Sequence, residues 1–359
     1  MVRVIVVNDF DLSSSIGLMF KDCEDAISDY GVLYTLIYSW KNVKYPGIPI
    51  YPDLFPNLQR KEILSALPWD FGIYLNSRAS KLTFKKFIKR IVRERADEII
   101  HYSNYRVSPF TQDYRSIITM NDLIYAKTRR PSEVLIKSFL LRNLSVYKKF
   151  EHVLSASEVV KSDLINYGFD GKITTIYQPV SKNFISLNMN KEKLRDKLGL
   201  PRNKYLLLSV STNRPGKNLV ALKELMNRLG NNYKLIRIGS PIGDSINFYG
   251  VNSETINEIY NACDVLVIPS TEEGFGRRVT EALTVGLPVV GSDIPVFREV
   301  AGEAANLVEP TPQKLMNAVV ETVNDPSHYV TSGLKRSKMY SFSIYSEKLK
   351  NYYESVAHD

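Results

Sequence analysis

The chain alternates between short, continuously apolar runs and longer stretches in which apolar residues recur every three or four positions. Continuous apolar runs bounded by turn residues predict strands buried on both faces, and the longer periodic stretches predict the helices that cover them. In the first half, residues 2–7, 33–38, 71–75, 98–102, 117–120, 153–157 and 173–179 read as strands. Residues 16–30, 81–95 and 159–167 read as helices, and the proline-bearing stretch 42–68 as loop. A polar segment at 181–203, holding a short helix that ends on Gly199 and Pro201, reads as a boundary. The pattern then restarts with strands at 205–210, 234–239, 265–268 and 288–290, and helices at 277–285, 312–323 and 340–357. Gly286 stands where a helix C-cap belongs, with Pro288 just beyond it. Strand, loop, helix, strand within so few residues is the rhythm of a parallel α/β sheet, here in two domains.

Composition narrows the class. A chain of 359 residues, 44% hydrophobic and 11% aromatic, can bury a core in each of two domains. Its two cysteines, Cys23 and Cys263, form no disulfide framework and no metal-ligand spacing. No apolar run is long enough to cross a bilayer, and the N-terminus opens directly as a strand, so a cytoplasmic chain is expected. The net charge of +9 is not spread evenly: residues 78–150 hold 17 Lys and Arg against 6 Asp and Glu. Within that segment Phe84, Phe87, Ile88 and Ile91 recur at helical spacing among six basic residues, the make-up of a helix lying on an anionic surface. Packing of the apolar stripe on the sheet of the first domain is the alternative. A membrane is the favoured anionic partner and nucleic acid the lesser one, because no base-reading motif is present.

The chemistry concentrates in the loops at the strand ends of the second half. In parallel sheets ligands bind beyond the carboxyl ends of the strands. The loop Glu273-Gly274-Phe275-Gly276 lies there, and a helix starts behind it. Its glycines let backbone N–H groups approach a ligand, and the helix start favours negative charge. Glu273 and Glu281 can accept sugar hydroxyls, unless Glu273 is an ordinary polar loop residue and Glu281 faces solvent. Arg214 and Lys217, at a strand-to-helix turn, suit a diphosphate. Such a loop suits a ligand with phosphates at one end and hydroxyls at the other.

The run EGFGRRVTEALTVGLPVVGSDIPVFREV resembles the donor-binding signature of the retaining family 4 glycosyltransferases of the GT-B fold. That signature is a Glu-x7-Glu pattern inside EGFGLPxxEAMAxGxPVV. Glu273, Gly274, Phe275, Gly276, Glu281, Gly286 and Pro288 match it here, and Glu299, Gly302 and Pro310 match its continuation toward the C-terminus. The usual Leu-Pro after the second glycine is Arg277-Arg278 in this chain. The resemblance implies two Rossmann-like domains facing a central cleft, 1–182 for the acceptor and 183–335 for a nucleotide-sugar donor. Residues 336–359 would then return to the first domain as a helix.

The same resemblance implies roles. Arg214, Lys217 and Glu273 would act in catalysis, on the leaving diphosphate and on the sugar. Gly274, Phe275, Gly276 and Glu281 would bind the donor, with Glu281 at the ribose and Gly239 at the nucleobase. Asn121 stands where the family commonly has a histidine at the sugar, and His101 is the nearest histidine. The alternative for His101 is a bond to a backbone carbonyl. Arg277 or Arg278 would meet an anionic group of substrate, unless both point to solvent. The implied reaction is hexose transfer with retention, without a metal or other cofactor, to an acceptor that is lipid-linked or presented at the inner membrane face. A nucleotide-sugar epimerase of the same fold and a protein that binds nucleic acid or anionic surfaces are the other classes.

Overall fold

The computed structural model describes residues 3–8, 26, 34–37, 98–102, 115–187 and 189–359. The expected strand 71–75, the loop 42–68, the basic helix 81–95 and all of the helix 16–30 but Ala26 lie outside them. The chain divides into two compact units, 1–177 with 345–359, and 178–344. The changeovers fall at 177/178 and 344/345, where the sequence suggests 182/183 and 335/336. Local bonds account for the difference. The Val180 N–H donates to Tyr340 O at 2.9 Å, and the Phe184 ring packs edge-on against Tyr260. The Tyr340 hydroxyl donates to Val300 O at 2.7 Å. Residues on both sides of the expected boundaries are thereby tied to the second unit.

The first unit carries a parallel sheet of β1 (Arg3–Asn8), β2 (Tyr34–Ile37), β3 (Glu98–Tyr102), β4 (Ser116–Met120), β5 (His152–Ser155) and β6 (Lys172–Thr175). Their order is β2-β1-β3-β4-β5-β6. Helix α1 (Val134–Tyr147) contributes Leu140, Leu144 and Tyr147 to a core that also holds Ile118 and Val153. Helix α2 (Glu158–Asn166) begins where the Ser157 hydroxyl accepts from the Val160 N–H at 3.1 Å, satisfying one of the open donors of a helix start.

The second unit repeats the plan with β7 (Tyr205–Val210), β8 (Tyr233–Ile238), β9 (Ile246–Phe248), β10 (Val265–Ile268), β11 (Val289–Ser292) and β12 (Asn306–Val308). The order is β12-β11-β10-β7-β8-β9, all parallel. Strands β10 and β11 are buried throughout, while the edge strands β9 and β12 are only partly so. That distribution is why the central strands read as unbroken apolar runs. Strands β8 and β9 are added on one side of β7 and β10 to β12 on the other, so the strand order reverses between β7 and β10. In sheets of this kind ligands bind at such a switch point, beyond the carboxyl ends of the strands.

The last helix, Phe342–His358, buries Tyr345, Leu349, Tyr352, Tyr353 and Val356, the single stripe that a 3.6-residue period allows. It docks on the first unit: Arg115 Nη1 donates to Ala357 O and the Ser346 hydroxyl to Ala26 O, both at 2.6 Å. His101 lies beneath it, 2% exposed, with Nδ1 2.6 Å from the Tyr353 hydroxyl and Nε2 2.6 Å from Thr119 Oγ1. The expected substrate role of His101 gives way here, because both ring nitrogens join β3 to β4 and to the last helix. Burial pushes its pKa down to about 3.

The folded state thus takes up the proton later than the unfolded chain, whose histidine titrates near 6.5. The stability this group contributes is complete above pH ~6.5 and is lost as the pH falls toward about 3. Stability of the native chain should drop by roughly 2 kcal/mol from this group between pH 7 and 5. His101→Gln, less stable at pH 7, should show a flatter profile over that window in urea titrations. Equal slopes for both proteins would contradict the assignment.

Candidate functional site

Three loops leave the carboxyl ends of the neighbouring strands β8, β7 and β10 in the second unit, and most of the candidate residues stand on them or on the helix that follows β10. After β7 a short 3-10 turn, Pro215–Lys217, is followed by Asn218 in the left-handed region (φ 49°). The Asn218 amide donates to Pro310 O at 3.2 Å, which holds the turn against the sheet. Helix Leu219–Leu229 then starts without a side-chain cap. After β10 the loop reaches Gly276, also left-handed (φ 94°), where a Cβ would come within 2.8 Å of the Phe297 ring. Helix Arg277–Val285 starts there, again with no side chain capping its first N–H groups. Two helix starts thus point positive dipole ends from adjacent strands.

The two loops are joined. The Thr271 N–H donates to Gly216 O at 2.9 Å, and Gly216 lies so close to Glu272 that a Cβ would overlap its carboxylate. Across this joint Lys217 Nζ forms an ion pair with Glu273 Oε1, both side chains largely shielded from water. Cation and carboxylate therefore compensate each other in the resting site. Arg214, partly buried, precedes the same turn. Gly239, at the end of β8, has φ 141°, and a Cβ there would approach Ser211 O to 2.4 Å. Only glycine lets the β7 and β8 loops close on each other.

Glu281 does not face solvent. It is 3% exposed, and its Oε2 accepts from the Tyr260 hydroxyl at 2.8 Å. Arg278, one turn earlier on the same helix, reaches it with Nη1 at 2.8 Å from Oε1 and 2.7 Å from Oε2. Burial opposes the charge on Arg278, and the carboxylate more than offsets that, so its pKa is raised. Burial, then the charge of Glu281, pushes the Tyr260 hydroxyl well above its usual range. Neither expectation for Arg278, an anionic substrate group or solvent, describes this inward pairing. Its i,i+3 spacing to Glu281 is legible in the sequence; the arrival of Tyr260 from another helix is not.

Other expected residues fall less directly on the site. Phe275 is buried, its ring edge-on to Tyr340 at 5.8 Å, so its side chain serves the core and leaves only its backbone to a ligand. Gly274 is also buried, and Arg277 is partly exposed at the helix start. Asn121 lies buried at the end of β4 in the first unit. One residue was not anticipated at all. Arg237 of β8 is fully buried and donates to the hydroxyls of Ser209 and Ser211 and to the carbonyls of Ser211 and Ser240. Burial lowers its pKa, and among the described residues its hydrogen-bond acceptors are all neutral. It braces the β7 and β8 loops from beneath. Among the described residues no group of three or more His, Cys, Asp and Glu could hold a metal ion.

Comparison with known proteins accords with this geometry. The family profile described as Glycosyl transferases group 1 matches residues 190–339. The O-antigen chain mannosyltransferase RfbU of Salmonella typhimurium is 29% identical over 203 residues, 52% of this chain and 54% of that protein. The serotype-specific mannosyltransferase WbdA of Escherichia coli is 24% identical over 261 residues, 64% of this chain and 32% of that protein. The chain thus spans about half the length of the first relative and a third of the second. Among solved structures, a sucrose-phosphate synthase from Thermosynechococcus elongatus superposes with a TM-score of 0.75 at 16% identity, over 99% of each chain. Anabaena Alr3699/HepE, solved with UDP and glucose, gives 0.71 at 15% identity, over 99% of this chain and 100% of that one.

Proposed function

Because residues 190–339 match the profile of the glycosyl transferases of group 1 and the chain has the two-domain GT-B fold, we propose that it is a glycosyltransferase of that group, which transfers a hexose from a nucleoside-diphosphate sugar to a glycan acceptor. The observation that carries this reading is the joint between the β7 and β10 loops. It sets Lys217 and Glu273 together beside two helix starts that no side chain caps. A diphosphate entering there takes Lys217 and Arg214 as counter-charges and the helix starts as further donors. Lys217 then exchanges its carboxylate for phosphate, and Glu273 is released to the hydroxyls of the donor sugar. Glu281 accepts from the ribose, and the loop held by Gly239 borders the base. The diphosphate charge is met by these groups without a metal ion.

The reaction proceeds with retention. The acceptor hydroxyl attacks the anomeric carbon from the face that the leaving group vacates. Its oxygen forms the new bond to that carbon as the bond to the phosphate oxygen breaks, and the departing phosphate takes the proton. Mannose is the proposed sugar, in line with the names of the two bacterial relatives. The acceptor is presented on an anionic membrane, to which residues 78–150, with 17 basic against 6 acidic side chains, contribute the attraction. No helix among the described residues is long and apolar enough to cross a membrane.

Thermal shifts with UDP, GDP and ADP test the donor, followed by hydrolysis and transfer assays with GDP-mannose, UDP-glucose and ADP-glucose, each with and without EDTA. A nucleotide at 100 times its Kd should add about 2.7 kcal/mol. The reading fails if no nucleotide shifts the melting point, and its metal-free form fails if EDTA abolishes transfer. Salt-sensitive co-sedimentation with anionic but not neutral vesicles is expected of the membrane contact; recovery with both types alike would refute it.

A further inference from the structure

The arrangement around Glu281 assigns a function to Arg278 that the mechanism above does not use. An ionised carboxylate has about four acceptor sites. Arg278 Nη1 takes one on each oxygen and the Tyr260 hydroxyl takes a second on Oε2. One acceptor is left, on Oε1. The charged and titratable groups in contact with this carboxylate are Arg278 from its own helix and Tyr260 from helix Ser253–Ala262. Arg278 retains some exposure, with 30% of its side chain accessible, whereas Glu281 has 3%. The carboxylate is therefore fixed in rotation from two sides and offers a single direction for a ligand.

We infer that Arg278 is a positioning residue that holds Glu281 so that it accepts from one hydroxyl of the donor ribose and not from both. The inference rests on the nucleotide-sugar reading of this site. The physical reason is economy of lone pairs: a ribose presenting two adjacent hydroxyls meets one open acceptor. Arg278 acts through Glu281 and does not itself touch the nucleotide. Its contact to the carboxylate uses one nitrogen, so a lysine ammonium of slightly shorter reach could replace it.

The test is calorimetric titration of the tightest-binding of UDP, GDP and ADP, with its 2′-deoxy and 3′-deoxy forms, against the full chain and its Arg278→Leu and Arg278→Lys variants. The native chain should lose about tenfold in affinity for one deoxy form and little for the other. Arg278→Leu should lose about tenfold for the parent nucleotide yet bind that sensitive deoxy form as the native chain does. Arg278→Lys should stay within about threefold of native for the parent nucleotide. Arg278→Gln, which keeps a donor without charge, gives the same comparison if the leucine variant does not fold, as judged by melting. An equal loss for parent and deoxy nucleotides would mark Arg278 as a merely structural residue. Equal penalties for both deoxy forms in the native chain would show that more than one acceptor is open. Binding of none of the three nucleotides would instead remove the donor reading itself, and this inference with it.

Discussion

Replacing Arg214 and Lys217 together by alanine should lower the rate of sugar transfer by more than a hundredfold while leaving the chain folded. Each removed donor to a developing negative charge in a shielded site costs on the order of a hundredfold or more. Lys217 is the better placed of the two in the resting structure, because its ion pair with Glu273 holds it between the β7 and β10 loops. The pair does not stabilise the fold by much, since each group keeps some access to water and the loops remain joined by the Thr271 to Gly216 backbone bond. A melting point within a few degrees of native is therefore expected. Lys217→Ala alone should raise KM as well as lower kcat, since it removes the counter-charge of the bound diphosphate and leaves Glu273 to repel it. Undiminished turnover of the double variant on its true substrates would show that the phosphate site lies elsewhere.

Asp264→Ala should be the most damaging single change to stability among the charged residues of the second unit. Its Oδ2 accepts from Arg195 Nη2 at 2.6 Å and from the Leu206 N–H of β7 at 2.8 Å, and its Oδ1 from Lys191 Nζ at 3.2 Å. Arg195 is buried and also donates to the carbonyls of Ala262, Arg202 and Lys204. The carboxylate thus ties helix Lys191–Lys197 to the first ends of β7 and β10. Its removal leaves a buried guanidinium without its counter-ion and a strand N–H without an acceptor, a loss of about 3 kcal/mol. The melting temperature should fall by roughly 6–12 °C. Asp264→Ala with Arg195→Met should recover part of that loss, since the stranded charge is then gone. A loss below about 1 kcal/mol for the single change would mean that water reaches the pair in the native protein.

The sequence alone determined what local pattern can determine. The apolar runs at 205–210 and 265–268 become β7 and β10 with those bounds, because a strand buried on both faces has no polar position to blur its ends. The helix at 277–285 and its Gly286 cap are equally legible, since the left-handed φ of 76° at that position suits glycine. The resemblance carried by Glu273 to Gly276 and Glu281 likewise led to the family whose profile matches residues 190–339 and to the fold of the similar solved structures. Side-chain pairing was left to the tertiary structure. Lys217 and Glu273 are 56 positions apart and meet only because β7 and β10 are neighbours in the sheet. His101 reads from the sequence as a residue at a strand end near the sugar, yet Tyr353, 252 positions later, turns it into an interior tie. Arg237 reads as one basic residue in an apolar strand, and its neutral shell is assembled from two separate places in the chain, the end of β7 and the loop after β8. Periodicity reports which face of an element is dry. Which polar groups share that dry space depends on strand order, and the energy of leaving a buried charge or donor without a partner then selects the pairings.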